Sequence, residues 1–133
     1  MTTSEDNPHD WFRLAADRLR VADLARRHEG VTYSGVELLQ EAVERYLKGY
    51  LIARGWTLER THDLGKLIDA ASGYAPSFSK YVILAENLND LFWDQHYPGG
   101  DLTEFGTDYD VLREQAGELV ALIIASVPKN PRN

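Results

Sequence analysis

From Val36 to Leu51, apolar side chains recur three and four residues apart, at Val36, Leu39, Val43, Tyr46, Leu47, Tyr50 and Leu51. That spacing gathers them on one face of a helix. No segment shows the sustained two-residue alternation of a half-buried strand, and the apolar β-branched run Leu119 to Ile124 continues a helical pattern. The chain therefore reads as all-α.

Stop and start signals divide it into elements. Asn7 and Pro8 predict a cap and first turn for a helix that runs to about Glu29, where Gly30 stops it; its apolar members include Trp11, Leu14, Ala15, Ala22 and Ala25. Ser34, with Glu37 three residues on, predicts a capping box for the second helix, which Gly55 ends. Thr61 is expected to cap a short third helix that turns Leu64, Leu67 and Ile68 inward, before Gly73 and Pro76 break the chain. A fourth helix is expected from Ser77 to Gln95 and a last one from Tyr109 to Ile124, with Pro128 beyond it. Four long amphipathic helices with mostly short links predict an antiparallel up-and-down four-helix bundle, the short helix lying across one end. One domain over residues 8–127 is expected, with 1–7 and 128–133 as flexible tails.

Composition narrows the chemistry. At 133 residues, 44% apolar and 26% charged, the chain can bury one sizeable core. It has no cysteine, so no disulfide or thiolate metal site, and His9, His28, His62 and His96 are scattered with no His-x-x-His pair; no metal is expected. The opening Met1-Thr-Thr-Ser-Glu-Asp lacks the features of a signal peptide, and no run is apolar enough to span a membrane, so a cytoplasmic setting is expected. A net charge of -7 opposes a general nucleic-acid coat, because phosphate binding needs a basic face. Arg13, Arg18, Arg20, Arg26 and Arg27 nevertheless cluster, as do Arg45, Lys48, Arg54 and Arg60. They read either as a local cationic groove or as solvated helix faces paired with Asp17, Asp23, Glu41 and Glu44.

Three short motifs stand in order on these helices. The stretch Gln40, Ala42, Glu44-Arg45, Leu47-Lys48 occupies the second helix; Thr61-His62-Asp63-Leu64, with Leu67 three further on, opens the third; His96-Tyr97-Pro98 precedes the long loop before the last. Together they resemble the signature of HEPN domains, with Arg45 where Lys is usual and His96 where Arg is usual, and the resemblance covers roughly residues 10 to 125.

The resemblance implies one of two working modes. In the first, a HEPN protein is a metal-independent endoribonuclease whose arginine, separated from a histidine by four to six intervening residues, stabilises the phosphorane while the imidazole moves the 2′-hydroxyl proton. No histidine here has an arginine at that spacing, and Arg54 lies one step too far from His62. If the chain were a ribonuclease, His96 would carry the chemistry from a degenerate centre. In the second mode, the HEPN protein is the homodimeric, nucleotide-binding partner of a minimal nucleotidyltransferase in a two-gene, toxin-antitoxin-like system. That mode implicates Arg45, Lys48, His62, Asp63, His96 and Tyr97 as nucleotide-facing groups, with Glu44 and Asn89 as support or interface residues, and needs no cofactor.

Each of these residues also has a plainer reading. Arg45 and Lys48 sit four residues after Glu41 and Glu44, as in a surface ion-pair ladder; Asp63 complements a helix N-terminus; His62 caps or packs; Asn89 is a satisfied core or boundary amide. Glu44 is set apart, because the family pattern implies the core side of the second helix for it, where a buried carboxylate paired with His62 or Lys48 would mark a site. A bundle that binds only another protein, with no small ligand, is the third possibility left open.

Overall fold

The computed structural model describes residues 2–94 and 106–129 and holds five α-helices: α1 Pro8–Glu29, α2 Tyr33–Ala53, α3 Leu64–Tyr74, α4 Val82–Asp94 and α5 Gly106–Ser126. A 3₁₀ segment, Pro76–Tyr81, joins α3 to α4. The described residues contain no strand. The protein is an all-α bundle, as the periodicity requires.

The ends of the helices follow local chemistry. Asn7 caps α1 through its side-chain oxygen, which accepts from His9 N at 3.0 Å, and Pro8 occupies the first turn as expected. Gly30 ends the helix at φ 83°, a left-handed conformation that a Cβ would strain. The expected cap of α2 is corrected by two residues: Thr32, not Ser34, accepts from Gly35 N at 2.9 Å. Thr32 is extended (ψ 159°), a conformation that suits a β-branched residue, and this start puts Gly35 rather than Glu37 at the third helical position, so no capping box forms. For α3 the cap is Asp63 rather than Thr61, its carboxylate accepting from Gly65 N and Lys66 N; the Thr61 hydroxyl accepts one residue earlier, from Asp63 N. A carboxylate both bonds the free amides and meets the positive end of the helix dipole, which a hydroxyl does less well.

The predicted fourth helix also starts differently. Pro76 begins a tight 3₁₀ stretch in which the Ser79 hydroxyl donates to Pro76 O, and regular α-helix starts only at Val82.

Packing centres on α2, which contacts every other helix and makes its most extensive contact with α1. That contact is close because the α1 face against it is small: Ala15 and Ala22, seven residues apart, are fully buried, and Gly49 of α2 lies under Phe12 and Trp11. Leu14, expected among the apolar members of α1, remains 39% exposed. Leu39, Val43, Leu47 and Leu51 of α2 join Leu64, Leu67 and Ile68 of α3, Leu84 and Leu88 of α4, and Leu112, Leu119 and Ile123 of α5 in one core. The Tyr50 and Phe78 rings meet inside it, centroids 4.5 Å apart.

Helices α1 and α5 meet through side chains. Arg113 grips Asp23 with two bonds of 2.7 and 3.0 Å, and Arg26 grips Asp110 with two of 2.9 Å. The Arg26 guanidinium holds Asp110 below the usual carboxylate range.

Ser4 and Glu5, placed by expectation in a flexible tail, bond to residues beyond their own turn. Ser4 N donates to Asp10 Oδ2, Glu5 O accepts from the Trp11 indole at 2.9 Å, and the Glu5 carboxylate pairs with Arg60 ahead of α3.

Candidate functional site

One face of α2 carries Gln40, Glu44 and Lys48 at four-residue intervals, so a single stripe of the helix presents an amide, a carboxylate and an ammonium. All three are buried, at 1%, 3% and 4% exposure. Ionisable groups are seldom buried unless paired. Here Lys48 Nζ donates to Glu44 Oε2 at 2.9 Å, and Glu44 Oε1 lies 2.8 Å from His62 Nδ1. The reading of Lys48 as part of a surface ion-pair ladder is thus corrected, since its pair with Glu44 lies inside the fold, and Glu44 is the buried carboxylate that the family pattern implied.

The histidine differs. Its side chain is 74% exposed, so a chain of charge leads from a buried ammonium through a buried carboxylate to an imidazole at the surface. Because an ionised carboxylate only accepts, Nδ1 must carry the proton that bonds Glu44. The other ring nitrogen, Nε2, is then left to accept a proton or, once protonated, to donate to an anion.

The loop that delivers His62 is held at both sides. Gln40 Nε2 donates to His62 O at 3.0 Å, fixing the backbone. From α4, Asn89 Oδ1 accepts from Leu64 N at 3.2 Å while Asn89 Nδ2 donates to Asp63 Oδ1 at 3.0 Å. Asn89 thus satisfies the start of α3 and steadies its capping residue, a supporting position. Gln40 Oε1 is buried without a partner among the described residues.

Two side chains absent from the expected set belong here. Gln40 opened the second-helix motif, yet only the fold reveals its bond to a carbonyl 22 residues away. Trp11 covers Lys48, whose Nζ lies 5.9 Å from the ring centroid.

Other expected site residues stand apart. Arg45 is half-buried and donates to Glu41 O at 3.3 Å, while the Glu41 carboxylate faces Arg18 of α1 at 3.5 Å rather than Arg45. Asp63 is exposed, but its carboxylate is engaged as a cap. His96 and Tyr97 lie outside the described residues. The arginines of α1 largely follow the reading of paired helix faces: Arg13 meets Asp10, Arg20 meets Asp17, and Arg26 meets Asp110.

Among the described residues, no group of three or more His, Asp or Glu is placed to hold a metal ion, and no helix is long and apolar enough to cross a membrane. No curated protein and no solved structure matches the chain. A family model does: the one described as HEPN domain matches residues 8–125, from the first residue of α1 almost to the end of α5. The three motifs lie within that span, the first two of them build the site just described, and the chain belongs to the HEPN domain family.

Proposed function

We propose that this HEPN protein is the nucleotide-binding partner of a minimal nucleotidyltransferase, working as a cytoplasmic homodimer in a two-gene, toxin-antitoxin-like system. What supports the reading is the Lys48–Glu44–His62 chain. The buried lysine offsets the charge of Glu44, and Glu44 orients the exposed imidazole so that Nε2 meets a phosphate oxygen. Lys48 acts through Glu44 rather than by touching the ligand, since its ammonium is enclosed. Arg45, which stands apart from the His62 site, and His96 and Tyr97 are the further groups proposed to face the nucleotide.

Calorimetric titration with ATP and with GTP, of the protein alone and with its co-encoded partner, tests this. Binding is expected in at least one arrangement and is expected to weaken about tenfold in His62→Ala, with the helical signal unchanged. Absence of binding in all four titrations would sink the nucleotide reading.

The same geometry favours one alternative. A histidine whose Nδ1 is held by a carboxylate is arranged as a general base, so the second reading is a metal-independent endoribonuclease in which His62, rather than His96, takes the 2′-hydroxyl proton. Cleavage of single-stranded RNA by the wild type, lost in His62→Ala and retained in His96→Ala, is its expected signature; retention in both variants removes it.

A further inference from the structure

A cleft of about 370 Å³ opens between α1, α2 and the end of α5, sharing no residue with the His62 site. Its volume lies within the range of small-molecule pockets, roughly 300–1,000 Å³. One wall is aromatic. The Phe12 and Tyr46 rings stand 5.8 Å apart at 30°, and His9 meets Phe12 edge-on. The facing wall is aliphatic, formed by Ile124 of α5 and Val127 just beyond its end, with Ile124 53% exposed although it is one of the larger apolar side chains.

The rim is charged in one sense. Arg13 and Lys129 border the cleft, and none of its lining residues is Asp or Glu, in a chain whose net charge is -7. Arg13 also meets Asp10 through Nη2, but a guanidinium has five N–H donors, so others remain for a ligand. Lys129 has no hydrogen-bond or ion-pair partner among the described residues.

A slot with an aromatic wall, an aliphatic wall and a cationic rim complements a flat apolar body carrying a negative group. We infer that this cleft binds a small planar aromatic anion, its ring between Phe12 and Ile124 and its anionic group against Arg13 and Lys129. A neutral ring would fill the slot but leave the cations to water. A flexible acyl chain would gain no ring contact and would lose more rotational freedom on binding.

Fluorescence titration of the full chain with 1-anilinonaphthalene-8-sulfonate tests the site. Saturable one-to-one binding is expected, displaced by 1-naphthoate and about tenfold less well by naphthalenemethanol or decanoate. Ile124→Glu, which puts a carboxylate on an exposed position of the wall, and Lys129→Glu are each expected to weaken binding about tenfold or more. Ile83→Glu, at a 62% exposed position away from the cleft, is expected to leave it unchanged. The assignment is overturned if binding does not saturate, if the neutral or acyl competitor matches naphthoate, or if Ile83→Glu weakens binding as much as Ile124→Glu. Displacement by AMP as efficient as by naphthoate would overturn its separateness from nucleotide binding.

Discussion

Glu44 Oε1 stands 2.8 Å from His62 Nδ1, joining a carboxylate whose side chain is 4% exposed to an imidazole that is 74% exposed. The contact makes the surface position of one residue depend on the interior charge of another, and Lys48 supplies the balancing charge from the opposite oxygen. Removing an exposed histidine and removing the buried lysine should therefore have very different consequences.

Lys48→Met leaves the Glu44 carboxylate buried without its ammonium, and unfolding in urea is expected to show a loss of about 3–5 kcal/mol. His62→Ala, which truncates a solvated side chain, is expected to lose less than about 1 kcal/mol. The double variant Glu44→Leu, Lys48→Met, apolar throughout, should recover most of the loss caused by Lys48→Met alone. Equal stability of Lys48→Met and the wild type would mean that the pair is not desolvated as described.

The α3 start offers a second measurement. Asp63 bonds Gly65 N and Lys66 N, and Asn89 reaches both Asp63 and Leu64 N from α4. Asp63→Ala and Asn89→Ala are each expected to cost about 1–2 kcal/mol in denaturant unfolding. Because the two side chains share a bond, the double variant should lose less than the sum; strict additivity would contradict the shared network.

These same residues mark how far the sequence could be read. Helix identity and much of the core were legible, because apolar spacing in α2 and the Asn7-Pro8 start of α1 depend on neighbours within one turn. The caps were legible only approximately. Ser34 and Thr61 have suitable side chains, but Thr32 and Asp63 win by backbone conformation and charge. The family motif placed Glu44, Lys48 and His62 among the candidates and implied a buried Glu44 paired with His62 or Lys48; that it pairs with both was not readable, since Glu44 and His62 are 18 residues apart and whether Lys48 faces solvent depends on Trp11 from another helix. Asn89 became interpretable once α4 was seen to pack beside the start of α3.

Close approach of α1 and α2 gives a third test. A Cβ at Gly49 would fall 2.6 Å from Phe12 Cε1 and 3.0 Å from Trp11 Cβ. Alanine ordinarily strengthens a helix by about 1 kcal/mol relative to glycine. Overpacking here opposes that gain, since the helices must separate or Phe12 must move, at about 1–3 kcal/mol. Gly49→Ala is therefore expected to lower the thermal midpoint, and to do so less in a Phe12→Leu background. A raised midpoint in Gly49→Ala would show that the helices yield easily.

Tyr109 provides the alkaline test. It is 2% exposed, its hydroxyl has no partner among the described residues, and burial, reinforced by Asp23, pushes its pKa up to about 12 from the ordinary 10. A raised pKa in the folded state means that the unfolded chain releases its proton first. The corresponding stability is complete below about pH 10 and is lost as pH climbs toward 12, because ionisation pulls the equilibrium toward the unfolded chain. Tyr46, whose pKa burial also raises, adds to the effect in the same direction. Tyr109→Phe removes the ionisation together with a buried hydroxyl that has no partner among the described residues. It is expected to be neutral or stabilising by about 1 kcal/mol at pH 7, and to flatten the fall in urea midpoint between pH 10 and 12. A destabilised Tyr109→Phe at pH 7 would show that the hydroxyl has a bonding partner, and an unchanged alkaline slope would show that Tyr109 does not govern it.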